Sequence, residues 1–164
     1  MSQGIVINSL TFAREAGLLQ GELAIASLTR VLDKLVDSAG CLSYRVVGNV
    51  GSRNRPQLLL ELDGVLSVCC QRCLEGSDYP LAVRSLLEFV DDEEALTQEE
   101  IEDASRDFLP AQGELDIVAL IEEEIILDLP SAPRHKSCAL PESGQGTGKI
   151  SPFSVLKEIR GKAE

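Results

Sequence analysis

The chain has 164 residues with a mean hydropathy of +0.05, and 44 % of them are apolar. That is enough for one packed domain and too much for a disordered chain. Twenty-seven acids against fifteen Lys and Arg leave a net charge of −12, so a nucleic-acid backbone repels the chain as a whole.

The charge is uneven. From Glu88 to Asp128 there are 16 acids and one base, Arg106, a balance of −15, while the rest of the chain carries +3. Such a run is commonly a solvated face; as a functional surface it would dock a basic partner. Direct RNA contact is expected from the remainder. No apolar run approaches the roughly 20 residues of a membrane span. The start, Met1 to Asn8, has neither a basic segment nor a long apolar one, so no secretory signal is expected. Five Cys, an odd number, suit a reducing compartment, and the expected location is cytoplasmic.

Thr11 to Gly17 allows one or two helical turns, and Leu18 to Ala26 reads as extended. Ser27 can cap a helix, and Leu28, Val31, Leu32 and Leu35 follow at helical spacing. An amphipathic helix is therefore predicted over about Leu28 to Ser38, closed by Gly40. Leu42 to Val50 alternates in polarity. Gln57 to Cys70 alternates too, with Leu60, Leu62, Gly64, Leu66, Val68 and Cys70 on one face, and Gly64 marks a possible bulge position. Leu81, Val83, Leu87 and Phe89 repeat the alternation. These runs predict a twisted meander of long antiparallel strands, with barrel-like curvature as one outcome.

Asp91 to Asp103 forms a short exposed helix or a loop, and Phe108 with Leu109 returns to the core. Asp116 can cap a helix carrying Ile117, Leu120, Ile121, Ile125 and Leu129, which ends at Pro130. Glu122, Glu123 and Glu124 are expected towards solvent or a partner. The fold class is α+β, an antiparallel twisted sheet with two or three packed helices. Residues 1–140 form one domain with an acidic loop near 91–107. Residues 141–164 are a linker and a short helix begun by Ser151 and Pro152, with Phe153, Leu156 and Ile159 on one stripe.

The sharpest local feature is Cys70-Gln71-Arg72-Cys73, flanked by Cys69. Two thiolates at this spacing close on one metal ion across a tight turn. The spacing also serves redox chemistry, but that use opens a helix in a βαβ setting, and here a strand enters and a strand leaves. A metal needs a second half-site, and His135 with Cys138 supplies the two residue types. Cys70, Cys73, His135 and Cys138 are therefore the candidate zinc ligands, beside the readings of plain structural thiols or a redox pair. Cys41, at a strand start, is expected to pack. Gly144 to Lys149 fails the phosphate-loop spacing, and Ile150 stands where Ser or Thr is required. One His with no Asp or nucleophile pattern makes a hydrolase triad a poor fit. Aromatics at 4 % with no Trp give no stacking platform. Among the bases, Arg72, Arg84, Arg134 and Lys136 are the candidate RNA contacts; Glu122, Glu123 and Glu124 are the candidate contacts for a basic protein.

Three stretches carry a resemblance. Leu66 to Cys73 reads LSVCCQRC, Gly113 to Pro130 reads GELDIVALIEEEIILDLP, and Ser151 to Arg160 reads SPFSVLKEIR. In this order and spacing, the chain from about Leu42 onward resembles the bacterial YceD family, the large ribosomal RNA subunit accumulation proteins. The resemblance implies a non-enzymatic cytoplasmic factor in ribosome assembly. Family members often carry further Cys near the carboxyl end, placed like a second metal half-site, where this sequence keeps only His135 and Cys138. With the divided charge, the expected partners are a large-subunit ribosomal precursor and a basic ribosomal protein or ribosomal RNA, without a membrane or a small-molecule substrate. The alternative is a thiol redox or zinc-dependent protein centred on the CxxC.

Overall fold

The computed structural model describes residues 4–91, 96–111 and 113–138. The linker and helix expected over 141–164 lie outside the described residues, as does part of the acidic loop.

Strand β1 (Val6–Asn8) leads into α1 (Ser9–Arg14), whose first turn is capped by the Asn8 side chain accepting from the Thr11 N–H. β2 (Leu18–Ala24) follows, then two 3₁₀ turns, Ile25–Ser27 and Leu32–Lys34, and the short β3 (Leu35–Asp37). The long strands are β4 (Cys41–Val50), β5 (Pro56–Cys69) and β6 (Gly76–Val90). After the four-residue α2 (Gln98–Ile101) come β7 (Asp107–Pro110), β8 (Glu114–Asp116) and α3 (Ile117–Asp128).

The main sheet runs β2-β4-β5-β6-β7, with β3 also paired to β5, and β1 pairs β8 in a separate two-stranded sheet. The meander of long antiparallel strands is as the alternation predicts. Two features differ. The sheet is open, with β2 and β7 at its edges, and β7 runs parallel to β6. Parallel pairing needs a crossover. Here the segment containing α2 supplies it, and no apolar periodicity announces that route.

The helix expected over Leu28 to Ser38 does not form. Ser27 turns its hydroxyl back to the Ala24 carbonyl at 2.7 Å, instead of capping forward. Leu28 and Val31 are fully buried, a spacing of three that a 3₁₀ turn satisfies as well as an α-turn. Leu35 then leaves the helical path to pair with Val68 on β5. Gly64 is not a bulge, since the β5–β6 register runs through it unbroken. It stands where β5 ceases to pair β4, after Asp63, and before it pairs β3. A Cβ there would collide with the Leu42 side chain. Cys41, expected to pack, is exposed.

The core lies on one face of the sheet. Leu42, Tyr44 and Val46 of β4 and Leu58, Leu60 and Leu62 of β5 share one buried cluster with Ile117, Leu120, Ile121 and Ile125 of α3, where α1 lies against β4 and β5 and α3 against β6. Asp116 caps α3, accepting from the Val118 and Ala119 N–H groups, as its position predicts. Gly48 lets α1 lie directly on β4: a Cβ would stand 2.8 Å from the Ala13 Cα.

Candidate metal centre

The β5–β6 connection is the turn Cys70 to Glu75. Its backbone closes twice, by the Cys70 N–H to the Glu75 carbonyl and the Leu74 N–H to the Cys70 carbonyl, each at 2.9 Å. Leu74 takes a φ of +64°, a conformation uncommon outside glycine, and so wraps the chain around the two thiols. The segment after α3 comes back to this turn. Leu129 caps the helix in an extended conformation before Pro130, and the Pro133 carbonyl then accepts from the Gln71 N–H at 2.8 Å.

This return brings both half-sites together. The donor atoms of Cys70, Cys73, His135 and Cys138 all lie within 4.8 Å of one another. The Cys70 and Cys138 sulfurs are 3.8 Å apart, and the Cys73 sulfur is 3.3 Å from His135 Nδ1. A tetrahedral centre with metal–sulfur bonds of about 2.3 Å and metal–nitrogen bonds of about 2.0 Å has edges of roughly 3.5–3.8 Å. The observed spacings fall close to that range. His135 Nε2 donates to the Gly76 carbonyl at 2.9 Å, which fixes the tautomer and leaves Nδ1 a free lone pair on the cluster side. Cys70 is buried and the other three donors are partly buried.

The electrostatics suit a cation. Backbone N–H groups, first that of Cys73, pull the Cys70 thiol down to about 5. Burial, and then the neighbouring Cys70 and Cys73, push the Cys138 thiol up to about 11. The His135 ring is raised, chiefly by its bond to Gly76. A bound metal ion would displace the protons that these groups hold. Cys69, the third Cys of the sequence run, points elsewhere, towards the Leu74 carbonyl at 3.8 Å.

The candidate RNA contacts divide. Arg72, Arg134 and Lys136 are exposed around the metal cluster. Arg84 stands apart on β6, with its Nε 3.7 Å from Glu61. The three consecutive acids of α3 also divide. Glu123 is exposed, whereas Glu122 and Glu124 are buried, contrary to the expectation that all three face outward. Glu122 accepts from the Arg30 N–H at 2.8 Å, and Glu124 accepts from the Ser85 hydroxyl at 2.5 Å. Their buried carboxylates are satisfied by a backbone N–H and a hydroxyl.

An ion cluster escapes sequence reasoning. Glu100 pairs with Arg53 and Arg55, Glu88 with Arg55 and Arg106, and Asp103 with Arg106. Three acids of the −15 stretch are thereby neutralised within the fold. The capping box formed by Thr97 with Glu100 was the available signal, since it marks the start of α2.

Fold and site define the class: a small α+β protein whose hairpin turn and post-helical segment build a Cys₃His cluster that could hold a metal ion. A family model described as "Large ribosomal RNA subunit accumulation protein YceD" matches residues 58–159. The chain belongs to the YceD family, and the match spans all four cluster residues and α3. No solved structure matches the chain. No described helix is long and apolar enough to cross a membrane.

Proposed function

We propose that this chain is a non-enzymatic cytoplasmic factor in assembly of the large ribosomal subunit. It holds zinc as a structural ion and binds a basic ribosomal protein, ribosomal RNA, or both, in immature particles. The observation that carries the reading is the family match across 58–159, which includes the whole cluster.

Zinc is the metal that the donor set favours. Three thiolates and one imidazole in a tetrahedral arrangement suit zinc, and four protein donors leave no open position for a substrate. The ion would tie the β5–β6 turn to the segment after α3, so its contribution is to folding. The CxxC joins two strands and does not open a helix, which weighs against the redox alternative. The exposed acids of the −15 stretch, Glu123 among them, supply attraction for a basic protein that is fast and sensitive to salt.

Sedimentation tests the assembly role. The protein should travel with large-subunit precursors at low salt and leave them at high salt. Recovery only at the top of the gradient under every condition would overturn the reading.

A further inference from the structure

We infer that the metal lobe is an RNA-contact surface: Arg72, Arg134 and Lys136, drawn together by closure of the Cys70, Cys73, His135 and Cys138 site, bind backbone phosphates while that site is closed. This rests on the assembly reading for the setting in which RNA is met, and adds the surface and its dependence on the metal.

The argument starts from which bases are free. Eleven of the Lys and Arg residues lie in the described region. Six of them, Lys34, Arg45, Arg53, Arg55, Arg84 and Arg106, have a carboxylate within ion-pair distance. Of the five described bases that remain, three are Arg72, Arg134 and Lys136, and all three are exposed. A cation already engaged by a carboxylate must give up that partner to bind phosphate; these three need not.

Their placement follows from the ligands. Arg72 lies between the two Cys of the turn, and Arg134 and Lys136 flank His135. His135 is half-buried, while Arg134 and Lys136 on either side of it are exposed. The two segments are about sixty residues apart in sequence and meet through the Gln71–Pro133 backbone bond and the cluster itself. The His135–Gly76 bond adds a third tie, and a bound ion would fix the segments that carry the three cations more firmly.

The lobe is not a strong positive patch. Glu75 lies near His135, and zinc with three thiolates carries one net negative charge. Long-range attraction is therefore slight, and the contacts are short charge-assisted hydrogen bonds to individual phosphates. Arg84 provides an internal comparison, being a base on the same hairpin that is paired to Glu61 and distant in sequence from the cluster.

The test uses the full chain, loaded with zinc, and a labelled single-stranded RNA of mixed sequence, with binding followed by anisotropy from 50 to 200 mM salt. The combined Arg72→Gln, Arg134→Gln, Lys136→Gln variant should keep its zinc and melting temperature. Its log–log salt slope should be shallower by about 2, since each single-strand phosphate contact contributes about 0.7. Arg84→Gln should leave the slope unchanged. Chelation should weaken binding as the triple variant does, and zinc should restore it. If the triple variant itself sheds zinc, the single variants decide, each expected to lower the slope by about 0.7. An unchanged slope in the variants overturns the inference, as does full RNA binding by the metal-free chain. Binding of an acidic peptide but no RNA would assign the lobe to a protein partner and also overturn it. The assembly reading is judged separately by sedimentation. Wild-type chain that travels with precursors but binds no RNA sinks this inference alone. Zinc-dependent RNA binding through these bases, without particle association, sinks the assembly reading alone.

Discussion

His135 Nδ1 lies 3.3 Å from the Cys73 sulfur although the two residues are 62 positions apart. The pair is held from behind by the Gly76 carbonyl, which engages the other ring nitrogen. A residue of the strand that leaves the turn thus orients the ligand that arrives after the last described helix. The hairpin and the segment after α3 thus jointly build the candidate site.

Purified protein should accordingly carry about one zinc per chain by elemental analysis, the stoichiometry of a four-ligand structural site. Cys70→Ser should release the metal and lower the melting temperature markedly. Cys41→Ser, at an exposed thiol outside the cluster, should shift stability by no more than roughly 0.5 kcal/mol. A metal-free protein with an unchanged melting temperature would count against the zinc site.

Glu122 and Glu123 are neighbours with opposite expectations. Glu122→Ala removes the acceptor of the Arg30 N–H and should cost about 1–3 kcal/mol in denaturant unfolding. Glu123→Gln should leave stability within about 0.5 kcal/mol, while slowing association with a basic ribosomal protein at low salt. Equal stability losses in both variants would contradict the burial difference.

Two carboxylates should give pH profiles of opposite sign. Glu100 is held at about 2, first by the Thr97 N–H and then by Arg55, against an ordinary 4.5. Its contribution is fully present above about 4.5 and is lost as pH falls towards 2. Glu100→Gln should therefore lower the melting temperature at pH 7 and flatten the acid limb below 4.5. Burial raises Glu124 above 4.5, so its ionised form opposes folding. Glu124→Gln, which can still accept from Ser85, should be the more stable protein at neutral pH, an advantage that disappears as pH falls to about 4.5. Melting curves at a series of pH values test both.

Gly48→Ala places a methyl group against the Phe12 carbonyl and the Ala13 Cα, backbone atoms that cannot rotate away. It should destabilise by at least about 1–3 kcal/mol. Gly76→Ala, whose nearest contact is a Ser67 hydroxyl at 3.4 Å, should be tolerated far better.

The long strands and α3 were legible because period two along most of β4 and β5, and the Asp116 cap, agree with what forms. Cys70, Cys73, His135 and Cys138 were legible as residue types, and only the fold reveals that they converge. The segment Leu28 to Ser38 misled because Leu28, Val31 and Leu35 fit both a helix and a pair of 3₁₀ turns leading into a strand. Glu122 and Glu124 misled because charge was read as exposure. Their partners, Arg30 and Ser85, lie 92 and 39 residues away. Chain pattern carries no sign of such distant partners.

The β5–β6 ladder runs from Gln57 opposite Glu88 to Cys69 opposite Gly76. Its two ends are separated by twelve residue steps, roughly 40 Å at about 3.3 Å each. One end carries the thiol and imidazole donors of the proposed zinc site, the other guanidinium–carboxylate pairs through Glu88. With zinc bound there, a chelator should loosen only the tip, while strong acid or salt should also reach the base. Hydrogen exchange along this single hairpin can therefore be made to rise from either end by choosing the solute, so that a change at the tip does not have to unfasten the body of the sheet.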